Sequence, residues 1–323
     1  MSVSVVIPNW NGRQRLETLL KQLPAQTSPI AEIIVVDNGS EDDSAEIAVS
    51  LGARVIRLQR NLGFSAAVNR GVEECRSNFV AILNNDVLLQ PDWLARLVAQ
   101  LEVPGVWFAT GKLLNASRQD TIDGSFDEIS RGACSWRCGH GRADGAAWNQ
   151  PRTIFFPPFT ALVMKTELFR RVGGLDERLE SYLEDVDFGL RGASKGYTGS
   201  YVPGAVAFHE GSATLGAWNP RTVSQIARNQ VLLVAKHYPI GFVWKFGWPI
   251  ALAQLLWGLV ALRHGTGTAY LRGKIEGLRM FRQMRGAGDD AIPGILLESE
   301  RQIFDLQRQT GFDWYWRIYF ALT

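Results

Sequence analysis

Apolar residues along this chain come in short unbroken runs that end in amides or acids. Between those runs they recur at helical spacing. Residues 2–7 form a β-branched run stopped by Pro8, and residues 33–36 a second run ending in Asp37-Asn38-Gly39-Ser40. Residues 54–58 make a third, and residues 79–83 a fourth that ends in Asn84-Asn85-Asp86. Runs of this length read as strands buried on both faces of a parallel sheet. Residues 15–26 place Leu16, Leu19, Leu20 and Leu23 on one helical face; residues 44–51 look helical, and residues 66–75 form a helix carrying Asn69 and Arg70. Strand and helix alternate with short connections, which predicts an α/β fold built on a doubly wound, mostly parallel, Rossmann-like sheet.

Ligands of open α/β sheets lie beyond the carboxyl ends of the strands. Asp37 and Asp86 both stand there. One carboxylate can accept from a ribose hydroxyl or a base N–H, and another can hold a divalent cation against a diphosphate. The bland alternative for Asn84-Asn85-Asp86 is a turn that only ends its strand. No G-x-G-x-x-G or G-x-x-x-x-G-K loop opens a helix, which argues against a hydride-transfer enzyme and a P-loop ATPase.

After residue 106 the pattern changes. Residues 106–114 read as a strand, and residues 120–150, rich in Gly, Arg and small polar side chains, as a long loop or hairpin region of the kind that forms lids. Residues 161–164 form an apolar strand, and residues 167–172 a short helix closed by Gly173-Gly174. Glu184, Asp185 and Asp187 then fall within four positions. Asp187 and Arg191 share a helical face and read as a structural pair. Glu184 and Asp185 either favour a helix N-terminus electrostatically or supply a general base. Residues 195–202 are strand-like, and His209 follows another apolar run; it is either structural or a partner of Asp86 on Mg²⁺ or Mn²⁺.

The C-terminal third has a different texture, which sets a domain boundary after residue 235, with a helical region from 236 to 323. Residues 222–237 are helical. Residues 240–262 carry one charge, Lys245, together with Trp244, Trp248 and Trp257. The uncharged part, 246–262, is short for a span of about 20 residues and is interrupted by Pro249 and Gln254. It reads as a re-entrant or interfacial segment, a marginal transmembrane helix, or a buried hairpin. Residues 270–285 form a basic amphipathic helix, suited to an anionic membrane surface or to packing with its charges in water. Residues 312–320 add four more Trp and Tyr side chains of interfacial character.

Composition adds little to this. A formal charge of +2 gives no reason to expect nucleic acid. Three cysteines favour a reducing compartment. Cys134, Cys138 and His140 have the look of a zinc fragment lacking its fourth ligand. The N-terminus has no basic region or cleavage site of a signal peptide.

Taken in order, Val5-Val6-Ile7-Pro8-Asn9-Trp10-Asn11, Val35-Val36-Asp37-Asn38-Gly39-Ser40, Asn61-Leu62-Gly63-Phe64, Leu83-Asn84-Asn85-Asp86, Gly173-Gly174-Leu175-Asp176-Glu177, Glu184-Asp185-Val186-Asp187 and His209 resemble the inverting glycosyltransferase family 2 with the GT-A fold. The resemblance covers about the first 210 residues. It implies that Asp37 contacts the nucleotide, with Pro8, Asn9, Asn11, Asn38, Asn61, Gly63, Asn69, Asn84 and Asn85 in the donor site. Asn84-Asn85-Asp86 stands in place of the family's D-x-D motif, with Asn84 for its first acid, so Asp86 would hold Mg²⁺ or Mn²⁺ and His209 would complete that site. Asp185 matches the catalytic base of a Glu-Asp pair with Glu184. Gln225-Ile226-Ala227-Arg228-Asn229 has Asn where processive members have Trp, which implies addition of one or a few sugars. The C-terminal region looks most like rhamnosyltransferases acting on lipid-linked saccharides. The expected partners are thus a dTDP-, UDP- or GDP-linked sugar, a polyprenyl-diphosphate-linked saccharide acceptor and a membrane surface. The expected place is the cytoplasmic face of the inner membrane, peripheral or monotopic, in cell-envelope polysaccharide synthesis. Competing readings are a sugar nucleotidyltransferase and a non-catalytic membrane scaffold.

Overall fold

The structure is a computed structural model, and it describes residues 2–211 and 218–323. The chain divides into two units: Met1–Phe126 with Gly139–Gly192 and Gly196–Thr214, and Asp127–Cys138 with Ala193–Lys195 and Leu215–Thr323. The sequence placed the boundary after residue 235; in the structure the helix over 220–237 belongs with the C-terminal helices, and so does the short segment 127–138.

The first unit is built on one sheet. Strands β1 (Val3–Asn9), β2 (Ile30–Asp37), β3 (Arg54–Arg57) and β4 (Phe79–Leu83) are parallel, in the order β3-β2-β1-β4. Helices α1 (Arg13–Gln22), α2 (Ser44–Ser50) and α3 (Phe64–Glu73) connect them. Leu16, Leu19, Leu20 and Leu23 join Val3, Val5 and Ile7 in the core, as the helical spacing predicted.

Past β4 the sheet departs from expectation. β5 (Val87–Leu89) and α4 (Trp93–Leu101) lead to β6 (Val106–Asn115) and β7 (Ile122–Gly124). Then come β10 (Arg152–Ile154), β11 (Ala161–Lys165) and β12 (Thr198–His209), with helices α5 (Thr166–Val172) and α6 (Glu184–Ala193) between β11 and β12. β11 lies between β4 and β6 and runs antiparallel to both. β6 and β12 are parallel to each other, while β5, β7 and β10 pair antiparallel. The sheet is mixed, not mostly parallel. Residues 120–150 are not a simple loop either, since Ile122, Phe126 and Trp148 are buried. The two strand-like stretches near 195–209 form the single strand β12, whose register to β6 shifts between Val202 and Val206.

In the second unit β8 (Asp127–Ile129) and β9 (Ser135–Arg137) make a hairpin. It is accompanied by α7 (Pro220–His237), α8 (Ile240–Lys245), α9 (Gly247–Arg263), α10 (Gly267–Met284), α11 (Ile292–Thr310) and α12 (Trp314–Leu322). Asn219 caps α7 by accepting from the Arg221 N–H, and Pro220 follows at the first turn, where no donor is lost. Ser299 on α11 donates to Glu128, and the Ile129 N–H donates to the Ser299 Oγ at 2.7 Å. Lys274 donates to Gln230 Oε1 at 2.8 Å and to Gln254, and burial pushes its ammonium down to about 8. Among the described residues no helix is long and apolar enough to cross a membrane.

Candidate active site

Three strand ends bring the polar groups together. Asn9 and Asp37 are register partners at the ends of β1 and β2, and the Asn38 N–H donates to the Asn9 carbonyl at 2.8 Å. Asp37 is 5 % exposed, and its Oδ1 is buried without a hydrogen-bond donor. A buried acceptor left open in this way costs free energy until a ligand donor reaches it. At the end of β4, the Asn84 N–H donates to the Thr160 carbonyl at 2.8 Å, and Asn85 Nδ2 donates to Asn9 Oδ1 at 2.6 Å. Gly12 lies against that amide pair. A Cβ there would come within 2.2 Å of Asn85 Nδ2, so only glycine leaves the pair intact.

Asp86 and His209 lie together, with His209 Nε2 at 3.1 Å from Asp86 Oδ1. The sequence did not reveal the third member. Asp123, buried on β7, places Oδ2 at 2.7 Å from His209 Nδ1. With Nδ1–H donating to Asp123, Nε2 turns its lone pair toward a buried carboxylate oxygen that receives no hydrogen bond. Atoms this close can share a proton or ligate one cation together. The carboxylate behind the imidazole is the usual means of fixing such a ligand's tautomer and orientation. Among the described residues no group of three or more His, Cys, Asp or Glu side chains forms a complete metal cage. One imidazole and one carboxylate therefore fit a hard divalent ion that takes its other ligands from a diphosphate and water. The zinc fragment is not assembled: Cys134 receives the Gln230 and Gln254 amides, and His140 Nδ1 lies 2.8 Å from the Asp123 carbonyl.

The other amide candidates hold loops in shape. Asn38 Nδ2 donates to Asn61 Oδ1 at 3.1 Å and to the Gly63 carbonyl at 3.0 Å, and the Leu62 N–H donates back to Asn38 Oδ1. Asn11 Oδ1 accepts from the Glu41 N–H. Asn69 clasps Leu175 through both its carbonyl and its N–H. Pro8 lies within β1, beside Asn9.

The loop built by Asn38 and Asn61 supports the segment that carries the acidic pair. Gly63 has φ of +91°, and a Cβ on it would press on Glu180 at 3.1 Å. The Ser65 N–H donates to the Glu180 carbonyl, and the Phe64 N–H to Ser181 Oγ. Glu180, Tyr182 and Leu183 all have positive φ (61°, 70° and 66°). Left-handed backbone at three non-glycine residues costs roughly 1–3 kcal/mol each and concentrates at functional sites. It delivers Glu184, buried, and Asp185, half-exposed, at the first turn of α6. Asp187, fully buried, pairs with Arg191, whose guanidinium also donates to the Val172 and Gly174 carbonyls.

A profile for glycosyl transferase family 2 matches residues 4–170, just over half of the chain. The chain belongs to glycosyl transferase family 2. Within it, the chain is 32% identical over 229 residues to an uncharacterized protein of Sinorhizobium fredii, covering 66% of this chain and 25% of that protein. It is 39% identical over 109 residues to an undecaprenyl-phosphate 4-deoxy-4-formamido-L-arabinose transferase of Pseudomonas savastanoi, covering 31% of this chain and 32% of that protein. An N-acetylglucosaminyl-diphospho-decaprenol L-rhamnosyltransferase of Mycobacterium tuberculosis is 27% identical over 241 residues, with 66% of this chain and 77% of that protein covered. The chain thus spans between a quarter and a third of the length of the first two. Among solved structures, it resembles GalNAc-T7 crystallised with UDP, GalNAc and Mn²⁺ (TM-score 0.65, 16% identity, 96% of this chain and 58% of that one). It also resembles a mannosyltransferase of Pyrobaculum calidifontis in complex with GDP-Man and Mn²⁺ (TM-score 0.53, 16% identity, 99% and 86%). At these identities the likeness concerns the fold, which is GT-A-like.

Proposed function

We propose that this protein transfers a sugar from a nucleoside-diphosphate sugar to a hydroxyl of a saccharide acceptor, inverting the anomeric carbon. The observation that carries this reading is the alignment of Asp123, His209 and Asp86, with an unbonded Asp86 oxygen facing an oriented imidazole nitrogen. Asp37 offers a second open acceptor at the neighbouring strand ends, suited to a base N–H or a ribose hydroxyl.

Asp86 and His209 would hold Mg²⁺ or Mn²⁺. When bound, the ion supplies positive charge for a diphosphate leaving group. Asp185 accepts the proton of the acceptor hydroxyl as its oxygen bonds to the anomeric carbon. The bond from that carbon to the diphosphate oxygen breaks, and its electron pair leaves with the diphosphate. The strained backbone at Tyr182 and Leu183 holds the base in place before substrate arrives.

The names of the relatives support a finer reading. One is an L-rhamnosyltransferase and two act on polyprenyl-linked substrates. dTDP-rhamnose is therefore the first donor to examine, ahead of UDP- and GDP-linked sugars. A polyprenyl-diphosphate-linked saccharide is the favoured acceptor, used without processive polymerisation at the cytoplasmic face of the inner membrane.

The test is slow hydrolysis of a panel of nucleotide sugars by purified protein, with and without Mg²⁺ or Mn²⁺. One donor cleaved only with metal is the expected outcome. Failure to bind any nucleoside diphosphate with metal would overturn the reading.

A further inference from the structure

The second unit leaves an unusual amount of apolar surface in water. Outside it, only Val49, Leu62 and Val103 are exposed large apolar side chains among the described residues; inside it they run from Trp218 to Leu322. They are also ordered. Gly273 and Gly277 seat α10 on α7, where a Cβ would come within 2.1 Å of the Ser224 carbonyl or 2.8 Å of the Arg228 carbonyl. At about 3.6 residues per turn, Leu271, Ile275 and Leu278 fall on the opposite side of α10, and all three are exposed. Arg272 and Arg279 flank that stripe, and Arg282 extends it. On α9, Trp248, Leu255, Leu259 and Leu262 form a second uncovered stripe, and Trp244 on α8 is 79 % exposed.

Charge selects the occupant. Residues 240–284, which hold α8 to α10, carry six Lys and Arg against one acid, in a chain whose formal charge is only +2. That acid, Glu276, lies 3.2 Å from Arg228, while Arg272, Arg279 and Arg282 form no ion pair among the described residues. A second copy meeting this face symmetrically would bring arginine against arginine. Exposed tryptophans, leucines between arginines and an uncompensated positive field instead match a bilayer bearing anionic headgroups.

We propose that α8, α9 and α10 form a docking surface for an anionic lipid bilayer, with the apolar stripes in the headgroup–acyl boundary and the arginines on lipid phosphates. Nothing crosses the membrane in this arrangement. The proposal is independent of the transferase reading, because it is read by binding without turnover.

Sedimentation of the intact protein with phosphatidylcholine vesicles, with or without phosphatidylglycerol, tests it. Strong binding to the anionic vesicles alone, falling as salt is raised, is expected. Joint replacement Arg272→Gln, Arg279→Gln and Arg282→Gln should weaken that binding about a hundredfold. Leu271→Ser with Ile275→Ser and Leu278→Ser should abolish it. These side chains point into solvent, so both variants should keep the wild-type melting temperature. Should either misfold, quenching of wild-type tryptophan fluorescence by brominated lipids gives the answer without substitution. Equal binding to both kinds of vesicle, unchanged binding by the arginine variant, or absence of quenching would overturn the proposal. A soluble dimer that the leucine variant dissociates would overturn it in favour of self-association.

Discussion

Asp123 Oδ2 lies 2.7 Å from His209 Nδ1, on the side of the imidazole away from Asp86. With the proton held on Nδ1 by this contact, Nε2 is the nitrogen free to bind a cation in place of a proton. Asp123→Ala should therefore weaken the apparent Mn²⁺ affinity tenfold to about a hundredfold. Mn²⁺ titration in the presence of a nucleoside diphosphate reads this directly, without turnover. An unchanged Mn²⁺ affinity would show that the contact serves folding alone.

Asp185 differs from its neighbours in being half-exposed, whereas Glu184 and Asp187 are buried. A group that takes a proton from an acceptor must be reachable by it. Asp185→Asn keeps the shape and removes the basicity. It should lower kcat by about a hundredfold to ten-thousandfold while leaving the donor KM near its wild-type value. A variant with wild-type kcat would remove Asp185 from the mechanism, and a raised donor KM with unchanged kcat would move it to the binding site.

What was legible in the sequence follows from which interactions are local. The strands ending at Asp37 and Leu83 declared themselves, because an apolar run and its polar stop are neighbours in the chain; β1 was legible too, but Pro8, read as its stop, lies within it and the strand runs on to Asn9. The direction of β11 did not. A strand buried on both faces has the same pattern whether it runs parallel or antiparallel, and only the pairing of Ala161 with Leu83 and Lys165 with Phe79 reveals the reversal. Asp123 was hidden for a related reason. Its strand is three residues long and pairs with β6 across the polar connection 116–121, which carries no apolar run to announce it. The short motif Ile122-Asp123-Gly124 was the only available signal. Asn38, Asn61 and Asn69 illustrate the opposite difficulty, since an amide that faces a ligand and one that braces a loop are spelled alike.

Cys75 gives a prediction in pH. Burial pushes its thiol up to about 12 from an ordinary value near 9. The native state thus keeps the proton in a range where the unfolded chain loses it. The resulting stabilisation is fully present below about pH 9 and is lost progressively between 9 and 12, by at most about 1.4 kcal/mol per pH unit. The stability advantage of the wild type over Cys75→Ala should accordingly shrink as pH rises from 8 to 11. Urea unfolding at several pH values measures it. A gap that stays constant would mean that the unfolded thiol is equally protected.

The Asp187–Arg191 pair makes the sharpest claim about stability. Asp187 is wholly buried, and Arg191 reaches it at 2.8 Å while donating to two backbone carbonyls that end α5 and begin the next turn. Arg191→Met keeps much of the side chain's bulk but removes the guanidinium from a buried carboxylate and two carbonyls. The cost should be about 3–5 kcal/mol, far above the roughly 0–1 kcal/mol of an exposed pair. Adding Asp187→Leu to Arg191→Met removes the stranded charge and should recover part of that loss. Urea unfolding of the two variants separates the contributions. A single variant that loses under about 1 kcal/mol would mean that water or another cation reaches Asp187, and the pair would then count as an ordinary surface contact.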